Sequence, residues 1–120
     1  MTQEEKDLLL KDLCARLPYK VYAQIPDKYG GYTSAIESID IDGFVKDFEG
    51  EQIEIENIKP YLFPLSSMTE EQKSILSLCN AFIEPRSIEL KLNFYNEQHI
   101  DYRGLIKKGL AIDATGLNIY

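Results

Sequence analysis

The sequence predicts an α+β fold: an N-terminal helix, a small antiparallel SH3-like barrel or curled sheet, and a helical C-terminal half, together forming a single domain over 1–120. Two patterns carry this. Apolar residues recur near every 3.6 positions over 3–16 and 70–83, each run opened by a capping box, and the period falls to about two between 20 and 58. Length and composition agree. A chain of 120 residues buries roughly two thirds of its unfolded surface in one core. At 44 % hydrophobic and 28 % charged residues it has the make-up of a folded domain.

The elements follow in order. Thr2 with Glu5 fits a capping box, and Leu9, Leu10, Leu13, Cys14 and Leu17 share helical spacing until Pro18, giving a helix over about 3–16. In "KVYAQI", Val21, Ala23 and Ile25 alternate with Lys20, Tyr22 and Gln24, and "PDKYGG" (26–31) supplies turn chemistry. A second strand over about 33–41 carries Ile36, Ile39 and Ile41; the opposite parity of Ile36 and Ile39 predicts a bulge between them. Asp42-Gly43 reads as a two-residue hairpin turn into "FVKDF", and Glu49-Gly50 as a weaker turn into "EQIEIENI", where Ile53 and Ile55 alternate with acids. Such a meander either curls into a small barrel, the preferred reading, or forms a curved sheet capped by the first helix.

"IKPYLFPLSS" (58–67) reads as an extended connector, because Pro60 and Pro64 forbid helix. Thr69 and Gln72 form the second capping box, and Ile75, Leu76, Leu78, Cys79, Phe82 and Ile83 extend a helix over about 70–83 to Glu84-Pro85. In "RSIELKLNFYNEQHI" strict alternation of Ile88, Leu90, Leu92 and Phe94 favours a strand, although Ile88, Leu92 and Tyr95 also share a helical face. Gly104, Gly109 and Gly116 divide the remainder into short pieces.

Charge and composition narrow the function classes. Residues 37–58 hold eight acids and one base, a local charge equal to the −7 of the whole chain. An acidic face repels a phosphate backbone, which is normally met by clustered Lys and Arg. Nucleic acid is therefore the weaker partner class, and another protein the stronger. "MTQEEKDLLL" is acidic before it is apolar, unlike a secretory leader, and no apolar run approaches a membrane span, so the expected setting is cytoplasmic, without membrane contact. Cys14 and Cys79 have no second ligand at metal spacing and read as core thiols.

No constellation of reacting groups is legible. His99, the only histidine, has Asp101 and Tyr102 nearby, but no nucleophile elbow surrounds Ser66, Ser67 or Cys79. A histidine near a helix C-terminus, held partly cationic by the exposed carbonyls, is the expectation, with no catalytic residue and no cofactor. "DIDGFVKDFEGE" (40–51) fails the calcium-loop pattern because Val45 stands where the glycine is required, so no metal site is expected. The candidate binding residues are tyrosines and bases. Tyr22, Tyr29 and Tyr32 flank the "DKYGGYT" turn, where aromatic side chains offer large contact area at low entropic cost. Arg103, Lys107 and Lys108 form the one locally basic stretch; Arg103 either binds an anion or pairs with a nearby acid, Asp101 or Glu97.

The stretches Leu8–Tyr19, Lys59–Leu62, Pro64–Thr69 and Asp101–Ile106, with the ending "GLAIDATGLNIY", together resemble an uncharacterised family of small proteins from gut bacteria and their phages or mobile elements. The resemblance implies a helix over about 87–97, against plain alternation, and a mobile-element setting; the family carries no assigned activity. The resulting expectation is a non-catalytic accessory or adaptor protein acting through protein–protein contacts. The alternative is a nucleic-acid-associated small-barrel module, with tyrosines stacking on bases and Arg103, Lys107 and Lys108 meeting phosphates.

Overall fold

Both capping boxes form. At the start of α1 (Gln3–Arg16) the Glu5 N–H donates to Thr2 Oγ1 at 3.1 Å and the Thr2 N–H donates to Glu5 Oε1 at 2.9 Å; Thr69 and Gln72 repeat the pair ahead of α2 (Glu70–Leu78). A computed structural model describes residues 1–40 and 42–120. Ile41, expected as an apolar member of the second strand, lies outside the described residues.

Leu9 and Leu13 of α1 are fully buried as expected, but the buried face turns towards Asp12 and Arg16 and leaves Cys14 exposed. The expectation of two core thiols is thereby corrected: Cys79, half-buried, donates weakly to the Ile75 carbonyl and also lies outside the core.

The sheet contains β1 (Tyr22–Ile25), β2 (Tyr32–Ile39), β3 (Phe44–Asp47), β4 (Gln52–Glu54), β5 (Lys59–Pro64), β6 (Ile100–Asp101) and β7 (Ile112–Asp113). Its order is β4-β3-β2-β1-β5-β6, with β7 also on β5; neighbours from β4 to β5 are antiparallel, and β6 and β7 run parallel to β5. Val21, Ala23 and Ile25 point inward as their spacing predicts, and the β2–β3 register shifts between Ile36 and Ser38, within the interval where a bulge was expected.

The sheet is open, which corrects the preference for an SH3-like barrel. Closure would require β4 to find a second partner, yet β5 joins at β1, on the far side of the sheet from β4. Leu9 and Leu13 of α1 belong to one apolar cluster with Val21, Val45, Ile53 and Leu62, so the helix covers the face that a barrel would turn in upon itself. The supposed connector is likewise corrected, since 59–64 forms a strand between β1 and the C-terminal strands.

A short 3₁₀ turn, Cys79–Ala81, ends the predicted 70–83 helix early, and α3 (Arg86–Glu97) follows. Residues 87–97 are therefore helical; Leu90 and Phe94 are half-buried while Ile88 and Leu92 are exposed, so the alternating residues divide between two helix faces. A mainly helical 70–120 holds only as far as Glu97. Beyond it lie turns and the two short strands, with Leu105, Leu110 and Ala111 completing the core. Among the described residues no helix is long and apolar enough to cross a membrane.

Candidate functional site

Two hairpin turns of one design shape the outer sheet. In "DIDG" Asp40 Oδ1 accepts the N–H groups of Asp42 and Phe44 at 2.9 and 3.0 Å; in "DFEG" Asp47 Oδ1 accepts those of Glu49 and Glu51 at 3.0 and 2.8 Å. Each glycine N–H donates back to the aspartate carbonyl at 3.1 Å, with φ of +84° at Gly43 and +85° at Gly50, a backbone region that favours glycine. Asp40 bonds directly to Phe44, so three positions lie between them, and the expected two-residue Asp42-Gly43 turn is corrected to this longer, aspartate-anchored form.

Asp47 is 1 % exposed, and its second oxygen accepts the Tyr32 hydroxyl. That bond, with burial and the nearby acids, pushes the Tyr32 phenol up to about 12, so it stays neutral. The anchored turn lifts Phe48 into solvent, 73 % exposed. Phe48 and Glu49 then form one side of a shallow groove of about 280 Å³ whose other walls are Lys20, Tyr22, Tyr32 and Thr33. The Tyr22 ring meets Tyr120 edge-on at 5.5 Å, and the Tyr22 N–H donates to the Tyr120 hydroxyl at 3.0 Å. Tyr22 and Tyr32 thus share one surface. Tyr29 lies outside it, on the 3₁₀ turn Asp27–Tyr29, half-buried against the core with Lys28 Nζ 5.2 Å from its ring centroid.

The three bases are elsewhere. Arg103 Nε donates to Asp12 Oδ1 at 3.1 Å and its guanidinium also reaches the Tyr102 hydroxyl at 3.0 Å, so its acid partner is 91 positions away rather than Asp101 or Glu97. Asp12 also holds Arg16, at 2.8 and 3.2 Å, and Arg16 donates to the Ile100 carbonyl at 2.6 Å; both side chains are fully buried. The Tyr102 ring lies 5.2 and 4.9 Å from the two guanidinium carbons, and its hydroxyl donates to Asn96 Oδ1. Lys107 and Lys108 are exposed. The Glu5 carboxyl is held below its usual range chiefly by the Thr2 N–H and hydroxyl, with a smaller contribution from Lys108.

His99 and Asp101 do not form a pair. Asp101 accepts the Leu105 and Ile106 N–H groups, each at 2.9 Å, and so holds the following turn. The His99 ring stacks on Tyr120 at 3.6 Å with its Nδ1 buried and unbonded. Burial first, and the Arg16 charge second, lower its pKa to about 4, so the ring is neutral at pH 7 and the expected partly cationic histidine is corrected. Among the described residues no group of three or more His, Cys, Asp or Glu side chains is placed to hold a metal ion.

Sequence reasoning missed Phe48, Asp12 and Arg16. The repeated Asp-x-acid-Gly at 40–43 and 47–50 is the signal that would have placed Phe48 at a turn tip. The i,i+4 spacing of Asp12 and Arg16 marks a pair but not its burial, which depends on residues 95–103: the Tyr95 and Ile100 carbonyls accept from Arg16, and Arg103 donates to Asp12. Comparison with known proteins returns no matching family model, no matching curated protein and no matching solved structure.

Proposed function

We propose that this chain is a non-catalytic accessory or adaptor protein of a phage or mobile element, and that it binds another protein through the Tyr22–Tyr32–Phe48 groove. Phe48 is the observation that carries the reading: a large aromatic ring held 73 % exposed by a turn that Asp47 anchors from beneath. Solvent-exposed aromatics beside a shallow apolar groove are the side chains that dominate binding energy when a partner covers them. Glu37, Glu49 and Glu51 are exposed on the same hairpins, so the partner surface expected is basic, and the charge speeds its approach. The resemblance to small phage and mobile-element proteins supplies the biological setting. Nucleic acid has weaker support, because Arg103 is engaged by Asp12 and neither Lys107 nor Lys108 lines the groove.

The test is affinity capture of the tagged protein from lysate of its own host, with and without nuclease and at two salt concentrations, beside Phe48→Asp. A discrete protein retained after nuclease and lost with Phe48→Asp supports the adaptor reading. Recovery of nucleic acid that disappears at high salt would overturn it in favour of the nucleic-acid module.

A further inference from the structure

A second surface, distinct from the groove, lies on α2, α3 and the turn between them. α2 has no buried residue. Its half-buried positions, Gln72 and Leu76, belong to one face, and Gln72 Nε2 donates to Gln98 Oε1 at 3.3 Å, drawing the start of α2 to the end of α3. The opposite positions are apolar and open to solvent: Ile75 and Leu78 on α2, Phe82 and Ile83 in the turn, Ile88 and Leu92 on α3, with Ile83 86 % and Leu78 69 % exposed. At roughly 100 Å² each, these six side chains expose on the order of 600 Å², the upper end for the largest apolar patch of a monomer and most of the ~800 Å² per partner that a stable interface buries.

Charge selects the occupant. Residues 70–97 hold five acids and three bases, whereas the excess negative charge of the chain lies in 37–58. Arg86 lies with its guanidinium carbon 5.5 Å from the Phe82 ring centroid, and Glu71, Glu84 and Lys91 belong to the same helices and turn, so both signs occur on these elements. A two-fold-related copy can therefore meet acid with base and apolar with apolar, which a self-complementary interface requires. An anionic lipid or a nucleic acid would meet more acids than bases over 70–97 and be repelled on balance. We infer that the α2–α3 hairpin is the interface of a homodimer, in which two hairpins stack into a four-helix arrangement.

Sedimentation equilibrium of the full chain across the micromolar range tests this. The expected mass is twice 13.8 kDa, falling to the single-chain value in Leu78→Glu or Ile83→Glu with unchanged far-UV circular dichroism, while Phe48→Asp leaves the dimer intact. Hydrogen exchange of the unaltered protein at high and low concentration asks the same question without a substitution: protection over 70–92 should be lost on dilution. A wild-type mass that stays at the single-chain value, a dimer that survives both glutamate substitutions, or exchange over 70–92 that ignores concentration would overturn the inference.

Discussion

Arg16 shows how far a single side chain depends on distant sequence. Its guanidinium is fully buried, yet Asp12 and the Ile100 carbonyl bond it closely, and Arg103 shares the same carboxylate. Removing one partner of such a pair leaves charge stranded in the interior, so Asp12→Ala should lower unfolding free energy by about 3–5 kcal/mol, read as a fall in urea midpoint. His99 gives a pH-dependent counterpart. Its folded pKa of about 4 lies below the ordinary 6.5, so between these values the unfolded chain binds more protons than the folded one. The contribution of the neutral ring is fully present above pH 6.5, is lost as pH falls towards 4, and changes no further below that. The shift corresponds to at most about 3 kcal/mol, reduced by the ring's partial exposure. Urea melts of wild type and His99→Asn should diverge over that window, with the flatter pH dependence in the variant; asparagine suits the left-handed backbone at this position, φ +60°. Neither role was legible in the sequence, because positions 12 and 16 lie off the apolar stripe of Leu9, Leu10, Leu13, Cys14 and Leu17, and chain position alone suggested a cationic histidine.

Short elements were legible where their signals are local. Both capping boxes, the inward set Val21, Ala23 and Ile25, and the irregularity after Ile36 follow from spacing of a few residues. β5 was not, because proline argues against a paired strand. Here the bonds to the C-terminal segment run through the Leu62 carbonyl, which accepts the Ala114 N–H, and the Phe63 N–H, which donates to the His99 carbonyl; neither proline needs a donor there. The hairpin turns supply the prediction at this scale. Asp47 accepts two backbone N–H groups and the Tyr32 hydroxyl while buried, whereas the exposed Asp40 accepts two N–H groups. Hydrogen bonds to a buried charge are worth more than exposed ones, so Asp47→Ala should destabilise by about 2–4 kcal/mol and Asp40→Ala by about 1, compared by chemical denaturation. The aspartate variant with the larger loss should also release Phe48 from its fixed position, visible as a sharper, more mobile ring signal by NMR.

The whole molecule is an open mixed sheet with α1 across one face and the last quarter of the chain closing the core. The α+β class was legible from two periodicities; openness was not, because a meander of about 40 residues is compatible with either shape until the position of β5 is known. The groove was half legible, in Tyr22 and Tyr32, and its third wall depended on a turn whose type the sequence had not fixed. Glycines divide the last twenty residues into short pieces with little regular structure, yet Ile100, Leu105 and Leu110 are almost wholly buried. Burial of three such side chains contributes on the order of 6 kcal/mol, comparable with the lower end of the stability of a typical domain. A chain shortened after Glu97 should therefore lose amide dispersion in its proton NMR spectrum. The Asp12–Arg16 pair adds an ordering in time. Its carbonyl acceptor at Ile100 lies 84 residues further along the chain, and at ribosomal rates of about 5–20 residues per second α1 waits roughly 4–17 s before that partner exists. Until then the Asp12–Arg16 pair lacks the carbonyl that completes its burial, so the first element made is among the last to be fully enclosed, and a nascent chain stalled before residue 100 should bind chaperones that recognise exposed apolar segments.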